Sequence, residues 1–160
     1  MDSTSILIKI RKIVRSTNLE SKKIQKEYGV SIPQVLCLNY LKTSKSYQAT
    51  HKCIRDFLTL NSSTVTGIID RLEKKGLVAR LPKRDDKRNT YITITSKGVQ
   101  LLDRIPPLMH DRLSTKLDKL NENELNSIMD ALFIIVDFLD VGSIDAATVI
   151  TIEDNLNHAD

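Results

Sequence analysis

Three observations predict a mainly α chain carrying one small β-hairpin, an α+β protein in which helices dominate. Apolar residues recur at helical spacing along most of the 160 residues. That period breaks once, where two short runs, 77–81 and 90–95, enclose a charged loop. The hydrophobic share is 41% but only 4% of residues are aromatic, with no Trp, so the core is supplied as Leu, Ile and Val. This length fits one domain, or a compact unit that completes its core by pairing with a second copy.

Taken in order, residues 5–28 place Ile6, Ile10, Ile13 and Val14 at helical intervals, and Gly29 supplies the stop. Ser31-Ile32-Pro33-Gln34 has the form of a capping box with Pro inside the first turn, opening a second helix to about Leu41. Residues 42–48 are polar and predict a loop. A third helix over 50–58 groups Cys53, Ile54, Phe57 and Leu58 on one apolar face. After Thr59 and Leu60, Asn61 is a good N-cap for a fourth helix over 62–75, whose Val65, Ile68, Ile69 and Leu72 form the inward stripe. Gly76 ends it. From Ser96 the helical period returns with Val99, Leu102, Ile105 and Met109, bent or interrupted at Pro106-Pro107. Asn121-Glu122-Asn123-Glu124 caps a final helix carrying Leu125, Ile128, Met129, Leu132, Val136 and Leu139. A small, polar, acidic tail follows Gly142, its last ten residues or so expected to be loosely held.

Several function classes are disfavoured. No run of about 18 apolar residues is present to span a membrane, and the N-terminus lacks the parts of a signal peptide, so the cytoplasm is the expected location. Cys37 and Cys53 lie apart without a CxxC pattern and read as small core hydrophobes, with a redox-sensing role left open for Cys53 beside His51, Lys52 and Arg55. His51, His110 and His158 show no ligand spacing, so no metal or cofactor is expected. A phosphate-cradling Gly-rich loop and a Gly-x-Ser-x-Gly nucleophile are both missing, which argues against an enzyme.

Charge points elsewhere. From 71 to 88 eight bases face three acids, a surplus of five against +4 for the whole chain. After Lys119 no base follows, while nine acids do. Such polarity turns one face toward a polyanion. The third and fourth helices, joined by a short turn, make a helix-turn-helix candidate. The fourth displays Ser62, Ser63, Thr64, Thr66, Gly67, Asp70, Arg71 and Lys74 outward. Short hydroxyls there reach phosphates or base edges, Thr methyls meet thymine, and Gly67 permits close approach.

Residues 61–98, NSSTVTGIIDRLEKKGLVARLPKRDDKRNTYITITSKG, resemble the DNA-binding core of the MarR family of bacterial transcription regulators. The "TVT…IDRLEKKGLV" helix carries the match, together with a wing containing Arg80, Asp86-Lys87-Arg88 and Thr95-Ser96-Lys97-Gly98. With the order of the flanking helices included, the likeness covers roughly residues 5 to 140. It implies a winged helix-turn-helix over 31–99, a helical dimerisation region over 1–30 and 100–142, and an acidic tail over 143–160. It also implies a homodimer on double-stranded DNA, with the recognition helix in a major groove and the wing in the adjacent minor groove. Arg88 then becomes the wing-tip residue, with Arg80, Lys83, Arg84 and Lys87 beside it, and Asp86 holds the wing's shape by an ion pair. Arg suits narrow, electronegative minor grooves. The likeness further implies a small-molecule effector in a crevice lined by the first, second and fifth helices.

Other readings stand beside these. Lys83, Arg84 and Lys87 equally describe a solvated charged loop, Asp86 a residue relieving repulsion, and Arg80 a phosphate contact or a plain surface residue. A winged helix serving as a protein-interaction module without specific DNA binding is the alternative function. The basic surplus favours DNA.

Overall fold

The computed structural model describes residues 2–81 and 90–140, which fall into two compact units divided after Ile105. In the first, helix α1 (Ser3–Tyr28) starts at Asp2, whose carboxylate accepts from the Thr4 N–H at 3.2 Å. It stops where Gly29 turns left-handed at φ 69°, a conformation that favours glycine. The expected capping box then opens α2 (Ile32–Thr43): Ser31 Oγ accepts from the Gln34 N–H, and Gln34 Oε1 accepts from the Ser31 N–H at 3.1 Å. This helix buries Ile32, Val35, Cys37, Leu38 and Leu41, and is the central element of the unit. Helices α3 (His51–Leu58) and α4 (Ser62–Lys74) follow, with Thr50 and Asn61 as their N-caps.

The stretch expected as a loop over 42–48 differs. Helix α2 continues to Thr43, a 3-10 turn covers Lys45–Tyr47, and strand β1 (Gln48–Thr50) follows. Three residues with one apolar side chain carry no period of their own, and β1 exists because a partner strand accepts it. That partner is β3 (Tyr91–Ile94), which lies between β1 and β2 (Val78–Arg80) in an antiparallel sheet of order β1-β3-β2. Its register pairs Ala49 with Ile92 and Ala79 with Thr93. The two strands expected on either side of the charged loop are therefore present. Residues 82–89 of that loop lie outside the described residues.

Helix α5 (Ser96–Arg104), capped by Thr95, closes the first unit. The second contains α6 (Met109–Leu117) and α7 (Glu122–Phe138). The chain is non-helical over 105–108, so Pro106-Pro107 interrupts the helix rather than bending it. Asn121 and Glu124 form the expected capping box. No residue of α7 is buried; Phe133 is 71% and Phe138 80% exposed. Among the described residues no helix is long and apolar enough to cross a membrane.

Two glycines separate packing from backbone entropy. A Cβ on Gly98 would lie 2.4 Å from the Leu77 carbonyl oxygen and 2.8 Å from Ile94 Cγ1, whereas one on Gly67 would meet nothing within 4 Å. Gly98→Ala is expected to destabilise the fold by about 1–3 kcal/mol, as overpacking does. Gly67→Ala should instead stabilise it by about 0.5–1 kcal/mol, because alanine loses less entropy in a helix. Chemical denaturation followed by circular dichroism checks both signs.

Candidate nucleic-acid interface

Helix α4 is built from its inner face outward. Val65, Ile68, Ile69 and Leu72 are all 3% exposed or less, which leaves Ser62, Ser63, Thr66, Arg71 and Lys74 on the solvent side. Thr64, Gly67 and Asp70 are half-buried at the border, so Thr64 faces outward only in part. The turn before the helix uses Thr59 in the left-handed region at φ 56°, and Leu60 buries its side chain there. A β-branched residue in that conformation is strained. It reverses the chain between α3 and α4 without a glycine.

Both ends of α4 are tied. At the N-terminus Asn61 Oδ1 accepts from the Thr64 N–H and from Ser63 Oγ, each at 2.8 Å. At the C-terminus Lys97 Nζ donates to the Lys75 carbonyl at 2.8 Å, and Thr95 Oγ1 donates to the Gly76 carbonyl at 2.7 Å. A cation at this end also complements the helix dipole. Lys75 donates to the Gly29 carbonyl and links α4 to the end of α1. On the outer face Thr66 Oγ1 donates to the Ser62 carbonyl at 2.9 Å, and His51 Nε2 of α3 lies 3.0 Å from that same hydroxyl.

Arg80, at the end of β2, turns back onto α4. Its guanidinium donates to Asp70 Oδ1 at 2.5 Å and to Glu73 Oε2. Asp70 first, then Glu73, hold it even more firmly protonated than an ordinary arginine. Asp70 and Glu73 are three positions apart on one helix face, so a single planar fork reaches both. Sequence reasoning treated Arg80 and Asp70 separately; the link appears only once β2 folds back beside α4. Of the other wing residues, Lys83, Arg84, Asp86, Lys87 and Arg88 lie outside the described residues.

The cysteines divide. Cys37 is fully buried, as expected of a core hydrophobe. Cys53 corrects the expectation: it is exposed, because α3 turns only Ile54 fully inward, while Phe57 is half exposed and stacks on Tyr40 at 4.3 Å. The Cys53 thiol accepts from Thr50 Oγ1 at 3.1 Å and borders an open cleft of about 640 Å³ with Tyr40, Gln48 and Tyr91. This cleft is formed by the end of α2, the 3-10 turn, β1, the start of α3 and β3. Burial pushes the Cys37 thiol up to about 12, so near neutral pH it has almost no thiolate to react. A maleimide should therefore modify Cys53 alone in the native protein at pH 7. Cys37 should react only after denaturation, as peptide mass mapping would reveal.

Comparisons with known proteins agree with this geometry. The MarR family model matches residues 30–90. The chain is 30% identical over 132 residues to the HTH-type transcriptional regulator MhqR of Bacillus subtilis, covering 81% of this chain and 88% of that one. It is also 30% identical over 115 residues to the uncharacterised HTH-type transcriptional regulator YkoM of the same organism, covering 72% and 73%. Among solved structures, the S. aureus MepR–DNA complex aligns with a TM-score of 0.61 at 21% identity, covering 80% of this chain and 93% of that one. Sco5413, a MarR family transcriptional regulator from Streptomyces coelicolor, aligns at 0.55 and 25% identity, covering 89% and 97%. Sequence and fold thus agree, and the chain belongs to the MarR family of transcriptional regulators.

Proposed function

We propose that this protein is a transcriptional repressor that binds a pseudopalindromic operator as a homodimer. The observation that carries the reading is the outer face of α4: Ser62, Ser63, Thr66, Arg71 and Lys74 on a helix held by a fully buried stripe and capped at both ends. In this reading α4 enters a major groove. The loop after β2, with Lys83, Arg84, Lys87 and Arg88, reaches the neighbouring minor groove, and Asp86 shapes it. Arg80 contributes from the base of the wing. S. aureus MepR and Sco3205 from Streptomyces coelicolor, folds of the same kind, have been solved in complex with DNA, which supports DNA as the partner.

The homodimer rests on the exposed apolar side chains of α1 and α7. Ile6, Leu7 and Ile13 on the former, and Met129, Phe133 and Phe138 on the latter, are each 48% or more exposed. Contiguous apolar helix faces in water mark association surfaces. A dimer sets two recognition helices to meet half-sites about one helical turn apart. A small molecule or a stress signal that alters their separation releases the operator. A winged-helix module that binds protein rather than specific DNA is the competing reading, and the basic surplus around the wing favours DNA.

Arg88→Ala should weaken binding to promoter DNA by about fivefold to 150-fold, at the scale of roughly 1–3 kcal/mol for a groove contact, with the circular dichroism spectrum unchanged. Equal affinity would remove the wing from the interface. Binding measured by fluorescence anisotropy should also fall steeply between low and physiological salt, since several phosphates are neutralised. A flat salt response would favour the interaction module. Sedimentation equilibrium is expected to give twice the mass of the chain, and a stable monomer would contradict the dimer.

A further inference from the structure

The geometry points to Thr66 as a reader of the thymine C5 methyl group, with His51 as the positioning residue that turns that methyl outward. The inference rests on the DNA-binding reading above and adds the chemistry of one contact within it. Thr66 has a single hydroxyl proton, and that proton is committed to the Ser62 carbonyl, 2.9 Å away. His51 Nε2 lies 3.0 Å from the same oxygen; with the hydroxyl proton on the Ser62 carbonyl, the Nε2–H tautomer of the imidazole donates there and Thr66 accepts. The hydroxyl is thus held on two sides, by its own helix backbone and by the start of α3. Thr66 is nevertheless exposed, and with its hydroxyl occupied on two sides the γ-methyl is the group it has left to offer a base.

Position 67 strengthens the case. Gly67 follows directly and has open space where a side chain would stand, so the helix surface beside Thr66 is low enough for a base edge to approach. In the major groove the C5 methyl is the apolar mark that separates thymine from the other bases, and an outward γ-methyl meets it by simple contact. A serine here would keep the hydroxyl bonds and lose the reading group; a valine would do the opposite.

The test begins with duplexes recovered from a random library by the full-length protein. In the tightest of these, each thymine is replaced in turn by deoxyuridine, which deletes the methyl and keeps the hydrogen-bonding edge. The wild type should lose roughly three- to fivefold in affinity at a thymine facing α4, the worth of one buried methyl-sized group. Thr66→Val should keep that discrimination, and Thr66→Ser should bind both duplexes alike. His51→Ala should shrink the ratio and His51→Gln, whose amide nitrogen stands near the place of Nε2, should restore it. If His51→Ala does not fold, the two Thr66 variants decide the matter alone. A flat scan in the wild type, or a loss that persists in Thr66→Ser, overturns the methyl contact while DNA binding stands. Failure to recover any specific duplex removes the DNA-binding reading itself, and this inference with it.

Discussion

Four side chains, Val65, Ile68, Ile69 and Leu72, anchor α4, and the orientation of every outward residue follows from them. Burying each contributes about 1.5–3 kcal/mol. Rotating the helix by one residue, about 100°, would bring most of that stripe into water. The hydroxyl bonds on the outer face are worth only about 1 kcal/mol each, so they cannot choose the rotation. The core chooses it. The outer face is therefore free to carry chemistry that adds little to stability, such as Ser62, Ser63 and a glycine.

Electrostatics on that face needs a second element. Asp70 and Glu73 would repel a polyanion approaching α4, and Arg80 from β2 pairs with both and offsets part of their charge. The three side chains are between 37% and 47% exposed, so their ion pairs contribute little to folding in water. Their effect lies in the field of the surface. An arginine spent on two acids has less left for phosphate.

Much of this was legible beforehand, for a physical reason. Helix ends depend on single residues with local jobs: Gly29 and Gly76 at positive φ, Ser31 with Gln34, Asn61, and Asn121 with Glu124 all act where the chemistry of the residue predicts. The buried stripe of α4 and the two strands around the charged loop are period signals and were equally readable. Strand β1 was not, because Gln48, Ala49 and Thr50 become a strand only through pairing with β3. The exposure of Cys53 was missed because an eight-residue helix can look amphipathic over four side chains while burying one. The Arg80 bridge and the His51–Thr66 contact span ten and fifteen positions, and nothing in a local pattern marks them.

The two ends of the chain then bear on what the middle can do. On the DNA-binding reading, one α4 on one duplex would gain a single set of groove contacts, and DNA offers that set to any sequence with a matching half-site. Specificity rises when two such helices are held at a fixed spacing, since the duplex repeats its grooves only once per turn. On the homodimer reading, the apolar side chains of α1 and α7 supply that spacing. Phe133 and Phe138 lie far more open than a folded monomer normally tolerates in aromatic residues. The same burial that would remove them from water would also fix the distance between two recognition helices. On that same reading, a signal that disturbed this packing would act on DNA affinity without touching α4.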